Sequence, residues 1–299
     1  VSIGRVLSVS LLVVATTVSC AQTNHFEPAL VSSERCDPMA ADVMSGDAVP
    51  REDPPGWHQI FVDDFDRCDL GDNWGAYYGR PGGDPASWWD YEQASVSGGA
   101  LRLRAEQKDG RWVTGGASNS PVSQKYGKWD VRLRADRSDE ISYHILLWPA
   151  DEVWPPEIDI AESADGTRQT MSSFLHWSGE KDEHHFSQAD LQLDTNQWQT
   201  VGVEWDPEQI RYMVNGKVWA RTPLGASIPE DSDVARDSGS SRGVHQARIL
   251  GCGGVRPGGN SRSRLRGRRL GIGVRVGRIG VERAGHTVGI GSAGTTELT

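Results

Sequence analysis

Between Trp57 and about residue 222 the chain is written in short alternations of apolar and polar side chains, broken by turn residues. In "ALRLRAEQ", Leu101 and Leu103 alternate with Arg102 and Arg104. In "GKWDVRLRAD", Trp129, Val131 and Leu133 alternate with Asp130, Arg132 and Arg134. A period of two marks a strand with one buried face, because successive side chains leave a pleated strand on opposite sides. "SYHILLWP" is nearly continuous in apolar residues, the pattern of a strand covered on both faces. "QTVGVEWDPEQIRYMVNGKVWAR" predicts a strand, an Asp-Pro turn and a hairpin closed by Asn215-Gly216, a strong short-range hairpin signal. No long stretch carries the helical period. Many short strands at this spacing predict an all-β sandwich or barrel.

The pattern gives out toward both ends. Residues 22–55 are Pro, Ser, Asp, Glu and Ala with almost no apolar periodicity, ending in "PREDPPG", and predict a disordered linker. Ahead of it, Arg5 and the apolar stretch Val6 to Val18 predict an export signal over residues 1–21, too short to span a bilayer as a mature helix. Small residues at Ser19 and Ala21 suit cleavage before Gln22. Cys20 after Val18-Ser19 offers a different exit, a lipoprotein box with Thr17 where Leu is preferred. The expectation is a bacterial protein, secreted or held at the cell surface by a lipid on Cys20. The opening Val, read as a non-AUG start, agrees with a bacterial gene.

Charge divides the chain further. The net charge is −10, which argues against nucleic acid as a partner. Residues 233–299, however, carry 12 Arg, no Lys and 4 acids, a net of +8, so the rest stands at −18. All 12 Trp lie between Trp57 and Trp219, and no Trp, Tyr or Phe follows Trp219. A basic arm for RNA would interleave aromatics for stacking, and this tail has none. The switch near residues 231–236 reads as a GC-rich gene translated in a shifted frame, where Arg and Gly codons dominate. On that reading the sandwich covers 56–232, the tail 233–299 stands outside it, and C-terminal strands are missing. Beyond Cys20, the cysteines are Cys36, Cys68 and Cys252. A Cys36–Cys68 bridge is conceivable, but nothing in the sequence requires it, so stability must rest on the core.

The candidate chemistry lies in "WPPEIDIAES", residues 154–163. Glu157 and Asp159 are two apart and share a strand face, whereas Glu162 falls on the opposite one. A β-bulge near Ile160-Ala161 restores the phase and brings all three acids to one side. Glu157 and Glu162 would then stand about 13 Å apart at Cα, at about 3.3 Å per residue. Side chains leaning together can approach the roughly 5–5.5 Å between carboxyls that retaining glycoside cleavage needs. Three acids so close cannot all keep ordinary pKa values, and they titrate as a set. A solvated strand face is the plain alternative. A cluster of hard oxygen ligands is another, against which stand the alternating Ile residues and the lack of a Gly-rich calcium loop. In "EKDEHHF", His184 and His185 read as solvated loop residues rather than metal ligands.

"EIDIAE" after "WP" resembles the Glu-x-Asp-x-x-Glu signature of glycoside hydrolase family 16, in its bulge-containing, laminarinase-like branch. The surroundings follow in order over about 57–222: "GWHQIFVDDFD" is similar to the first core strand, "YGKWDVRLRAD" to the Tyr-Gly-x-x-x-x-Arg strand, and "FLHW" to the His-bearing strand after the acids. Pro156 stands where the family usually has Gly, and Leu146 where its Trp is usual, with Trp148 shifted by two. The resemblance implies a jelly-roll sandwich of two curved antiparallel sheets with a concave glycan cleft. It implies Glu157 as nucleophile, Asp159 as its hydrogen-bonding partner and Glu162 as general acid/base in retaining hydrolysis of internal β-glycosidic bonds, with β-1,3- or β-1,3/1,4-glucan favoured. Trp154 and Trp177, which flank the acidic strand and its presumed neighbour, are candidates for stacking on sugar rings, as are Trp88 and Trp89 of "SWWDYE". His176 is a candidate substrate contact. No cofactor is expected and no residue is assigned to a metal; the family often carries a structural calcium away from the cleft. The expected partner is a polysaccharide, and the expected state a monomer. The rivals are a non-catalytic, lectin-like sandwich and an inactive, frame-damaged hydrolase.

Overall fold

The alternating runs become strands. The computed structural model describes residues 52–81, 87–179, 181–223, 245–253 and 270–282, the last two as backbone. In chain order the first strands are β1 (Trp57–Asp63), β2 (Gly75–Ala76), β3 (Ser87–Trp89), β4 (Ala94–Ser97), β5 (Ala100–Lys108) and β6 (Arg111–Thr114). They are followed by β7 (Gly116–Gln124), β8 (Gly127–Ala135), β9 (Ile141–Pro149), β10 (Glu157–Ser163), β11 (Thr170–Ser178) and β12 (His184–Gln192). The remainder are β13 (Gln199–Trp205), β14 (Gln209–Val214), β15 (Lys217–Pro223), β16 (His245–Gly253) and β17 (Leu270–Glu282). A single 3-10 turn, Tyr91–Gln93, is the only helical element among the described residues.

Two sheets result. One has ten strands along the path β15-β14-β13-β8-β17-β5-β6-β3, with β1 and β4 attached, and the other has seven in the order β12-β11-β10-β9-β16-β7-β2. Pairings are antiparallel except β3 with β6. Between the sheets the inward residues of both meet: Leu101, Leu103, Val131, Leu133, Val201 and Val203 from one, Ile145, Leu147, Ile158, Ile160 and Leu175 from the other. Each is 2% exposed or less. Burying one such side chain contributes roughly 1.5–3 kcal/mol, and this layer is the main store of stability. The β14–β15 hairpin turns at Asn215 (φ 49°) and Gly216 (φ 76°), the left-handed pair that the Asn-Gly signal anticipates.

Beyond residue 232 the chain supplies two interior strands. β16 lies between β9 and β7, and β17 between β8 and β5. In backbone register, Ile272, Val274 and Val276 stand opposite Ala135, Leu133 and Val131 of β8, and those three β8 residues belong to the core. Both strands lie within the stretch 233–299 that the sequence set apart from the sandwich. The export signal, residues 22–51 of the expected linker and Cys36 lie outside the described residues; at the linker's end, Asp53 accepts the Gln59 N–H of β1 at 2.8 Å. Cys68 is disulfide-bonded.

Candidate active site

β10 runs through the interior of the seven-stranded sheet, between β9 and β11. Its register slips on both sides after Asp159: between Asp159 and Glu162 toward β11, and between Asp159 and Ala161 toward β9. The bulge thus sits at Ile160-Ala161, and both of those side chains enter the inter-sheet core. Two consecutive residues on one face cost one step of alternation, which turns Glu162 back to the face of Glu157 and Asp159. Ser173 on β11, opposite the extra residue, donates its hydroxyl to the Ile160 carbonyl at 2.7 Å and so satisfies a buried acceptor.

The three acids are unequally buried. Glu157 is 3% exposed and Asp159 1%, while Glu162 keeps partial access to solvent. Trp154, just before the strand, donates its Nε1–H to Glu157 Oε2 at 2.6 Å. His176, directly across from Glu157 on β11, places Nε2 3.1 Å from Asp159 Oδ2. Burial, and then the neighbouring Asp159 charge, pushes Glu157 well above the usual carboxylate range. Asp159 is pushed up likewise, first by burial and then by the charge of Glu162. Neither Asp159 oxygen has a well-directed donor. Its carboxyl lies beside those of Glu157 and Glu162, and a carboxyl can bond a carboxylate only when one of them carries a proton. Burial and mutual repulsion therefore favour the protonated form of Glu157 and Asp159.

Glu157, Asp159 and His176 are also the trio among the described residues whose ligand atoms lie within 4.8 Å of one another. His184 and His185 do not join it. His184 meets His176 instead, Nε2 to Nδ1 at 2.9 Å, with the rings stacked 5.1 Å apart. A strip of rings thus leads outward from the acids: Trp154 beside His184 at 4.8 Å, and Phe186, 44% exposed, 6.1 Å beyond His184.

Of the other aromatic candidates, Trp154 and His176 stand at the acids. Trp177 does not. It follows His176 on β11, so it faces the other way, into the inter-sheet core, and stacks on His185. Trp89 is 1% exposed and packs in a small second core with Tyr77, Leu146 and Trp148. Trp88 lies against Tyr78, under the Arg111 guanidinium at 4.3 Å, and contacts none of the acids. Sequence reasoning missed His144 of β9, which stands across from Glu162 with Nδ1 2.6 Å from Oε1. The available signal was one polar residue inside the apolar run "SYHILLWP".

Two sheets packed face to face, with three acids brought to one side of a bulged interior strand, define a β-sandwich built around a carboxylate set. Residues 84–230, the stretch that carries the three acids, match the family model described as Glycosyl hydrolases family 16. It is 25% identical over 211 residues to the endo-1,3-1,4-beta-glycanase EglC of Rhizobium meliloti (strain 1021), a match covering 58% of this chain and 43% of EglC. It is 28% identical over 114 residues to the endo-1,3-1,4-beta-glycanase ExsH of the same organism, covering 38% of this chain and 23% of ExsH. The chain thus spans less than half the length of either curated relative. Among solved structures, the catalytic domain of an endo-1,3-beta-glucanase (laminarinase) from Thermotoga petrophila RKU-1 superposes with a TM-score of 0.60. Identity there is 18%, with 76% of this chain and 98% of that one covered. The laminarinase from Rhodothermus marinus is 22% identical at a TM-score of 0.55, with 75% and 98% covered. At these identities the likeness is one of fold.

Proposed function

We propose that the protein is an endo-β-glycanase that hydrolyses internal β-glycosidic bonds of a β-1,3- or β-1,3/1,4-glucan with retention of configuration. The observation that carries this reading is the bulge at Ile160-Ala161, which gathers Glu157, Asp159 and Glu162 on one face of β10. Glu157 is the nucleophile. A proton held on Asp159 lets Glu157 remain a carboxylate, and the Trp154 Nε1–H steadies Oε2 as charge leaves it for the anomeric carbon. Glu162, the most accessible of the three, protonates the leaving oxygen and later takes a proton from water. Trp154, His184 and Phe186 offer flat faces for sugar rings next to the nucleophile. The choice of glucan draws on the names of the two curated relatives, both endo-1,3-1,4-beta-glycanases.

The N-terminal apolar stretch and the surface location of polysaccharide substrates support export, either secreted or lipid-anchored at Cys20. Net charge supports the absence of a nucleic-acid partner. The working unit is proposed to be a monomer, since the whole acid set comes from one chain.

The test is reducing-end release from laminarin, lichenan, agarose and carrageenan by the wild type beside Glu157→Gln. Release from laminarin or lichenan by the wild type alone is expected. Release only from a galactan moves the substrate class, and none from any glycan overturns the hydrolase reading.

A further inference from the structure

Glu162 has a partner that the retaining mechanism does not itself require. His144 lies directly across the β9–β10 ladder from it, 8% exposed, with Nδ1 2.6 Å from Glu162 Oε1. The other ring nitrogen, Nε2, is 2.9 Å from Ser142 Oγ. Both nitrogens are therefore engaged, and the ring is fixed in place and orientation. On the same face of β9 the following positions are Leu146 and Trp148, both nearly inaccessible, so the imidazole is the one titratable group that this strand turns toward the acids. Burial works against charge on His144, but the Glu162 carboxylate beside it outweighs that and raises its pKa, with Glu157 adding to the effect and Arg168 opposing it. On the other flank, β16 sets Leu250 opposite His144, with Arg248 and Cys252 two register positions to either side.

We propose that His144 is a positioning residue for Glu162: it holds Oε1 through Nδ1 and keeps one exchangeable proton on the His144–Glu162 pair. The inference rests on the hydrolase reading, in which Glu162 is the acid/base. In the reactive form Glu162 is protonated on its free oxygen, and neutral His144 donates Nδ1–H to Oε1 while Nε2 accepts from Ser142. As Glu157 bonds to the anomeric carbon, the glycosidic C–O bond breaks and the leaving oxygen takes the proton of Glu162. The resulting carboxylate still accepts Nδ1–H. In the second step water attacks the anomeric carbon, its proton passes to Glu162, and the bond to Glu157 breaks, so the proton count is restored. A lone glutamate loses its proton in the ordinary carboxylate range, whereas the pair keeps one until pH rises through the raised histidine value.

Two variants and one titration test this. His144→Ala should lower kcat by about 10- to 100-fold, the size of one charge-assisted hydrogen bond, with KM within about twofold. His144→Gln, which can still donate to Oε1 but cannot titrate, should recover most of kcat at the optimum while its basic limb moves to lower pH. A kcat and basic limb equal to wild type in both variants would overturn the proposal. Independently of turnover, nuclear magnetic resonance of the His144 ring, assigned by its loss in His144→Gln, should show titration above about 6.5 in the wild type and a fall in Glu162→Gln. Identical His144 titration in the two proteins overturns the shared proton whether or not any glycan is cleaved. A wild type inactive on every glycan overturns the hydrolase reading and the catalytic role with it, while the titration still decides whether the pair exists.

Discussion

Glu157 on β10 and Glu204 on β13 are the same side chain on two interior strands, each flanked by neighbours in its own sheet. Glu204 stands across from Lys128 on β8 and Arg211 on β14, with Lys128 Nζ at 2.9 Å and Arg211 Nε at 3.0 Å. Burial pushes its pKa up, but the two cations more than offset this and hold it below the usual carboxylate range. Glu157 stands across from His176, whose own burial keeps its pKa down, and it has only a Trp154 N–H as a direct donor. Its pKa rises well above the ordinary value. The difference teaches that an acid on a strand becomes a structural anchor or a reactive group according to what stands one strand away. Cations opposite Glu204 lock its charge. Other acids and a neutral ring around Glu157 leave its charge costly and therefore available for chemistry.

The largest break in this comparison is Glu157→Gln. Hydrolysis should fall by at least about a thousandfold, read as reducing-end release, because no other group stands in the nucleophile's place. The fold should survive, and its pH dependence should flatten. The raised values of Glu157 and Asp159 mean that the folded chain binds more protons than the unfolded one above the ordinary carboxylate range. Wild-type stability therefore falls as pH rises from that range toward the raised values. With one carboxyl fewer in this coupled set, the slope should lessen by up to about 1.4 kcal/mol per pH unit, measured by denaturant unfolding at several pH values. An unchanged slope would mean that Glu157 carries an ordinary charge in the folded state.

Trp154→Phe keeps the ring but removes the donor to Glu157 Oε2. A loss of roughly 10-fold in kcat is expected, with the melting temperature little changed; equal loss of both would make Trp154 a packing residue only. Ser173→Ala leaves the Ile160 carbonyl at the bulge without its hydroxyl donor and should cost about 1–3 kcal/mol in stability, with some loss of activity as Glu162 drifts. Lys128→Met should matter least. Arg211 remains to hold Glu204, so about 1 kcal/mol or less of stability is expected, with hydrolysis unaffected. A large loss of activity in Lys128→Met would erase the distinction between the two sheets.

Much of this site was legible in the chain. The period-two runs place the strands, the Asn-Gly pair places the β14–β15 turn, and the spacing Glu157, Asp159, Glu162 demands one extra residue at Ile160-Ala161, where the bulge lies. The parity of "FLHW" even separates His176 from Trp177, since neighbours on a strand cannot share a face. Stacking potential alone obscured that, and Trp177 belongs to the core. The tail was harder to read, because its side chains are small or basic and its strands show only through "GIGVRVG".

What the sequence determined by itself is what depends on local order: strand, turn, and the face to which each side chain points. Alternation is fixed by the pleat, and an acid three residues past its partner can return to the same face only through a bulge. What the tertiary structure alone decided is which strand lies beside which. Glu162 meets His144 across 18 positions of chain, and Glu204 meets Lys128 across 76. Those encounters raise the pKa of His144 and lower that of Glu204, because charge responds to neighbours in space, whatever their separation along the chain.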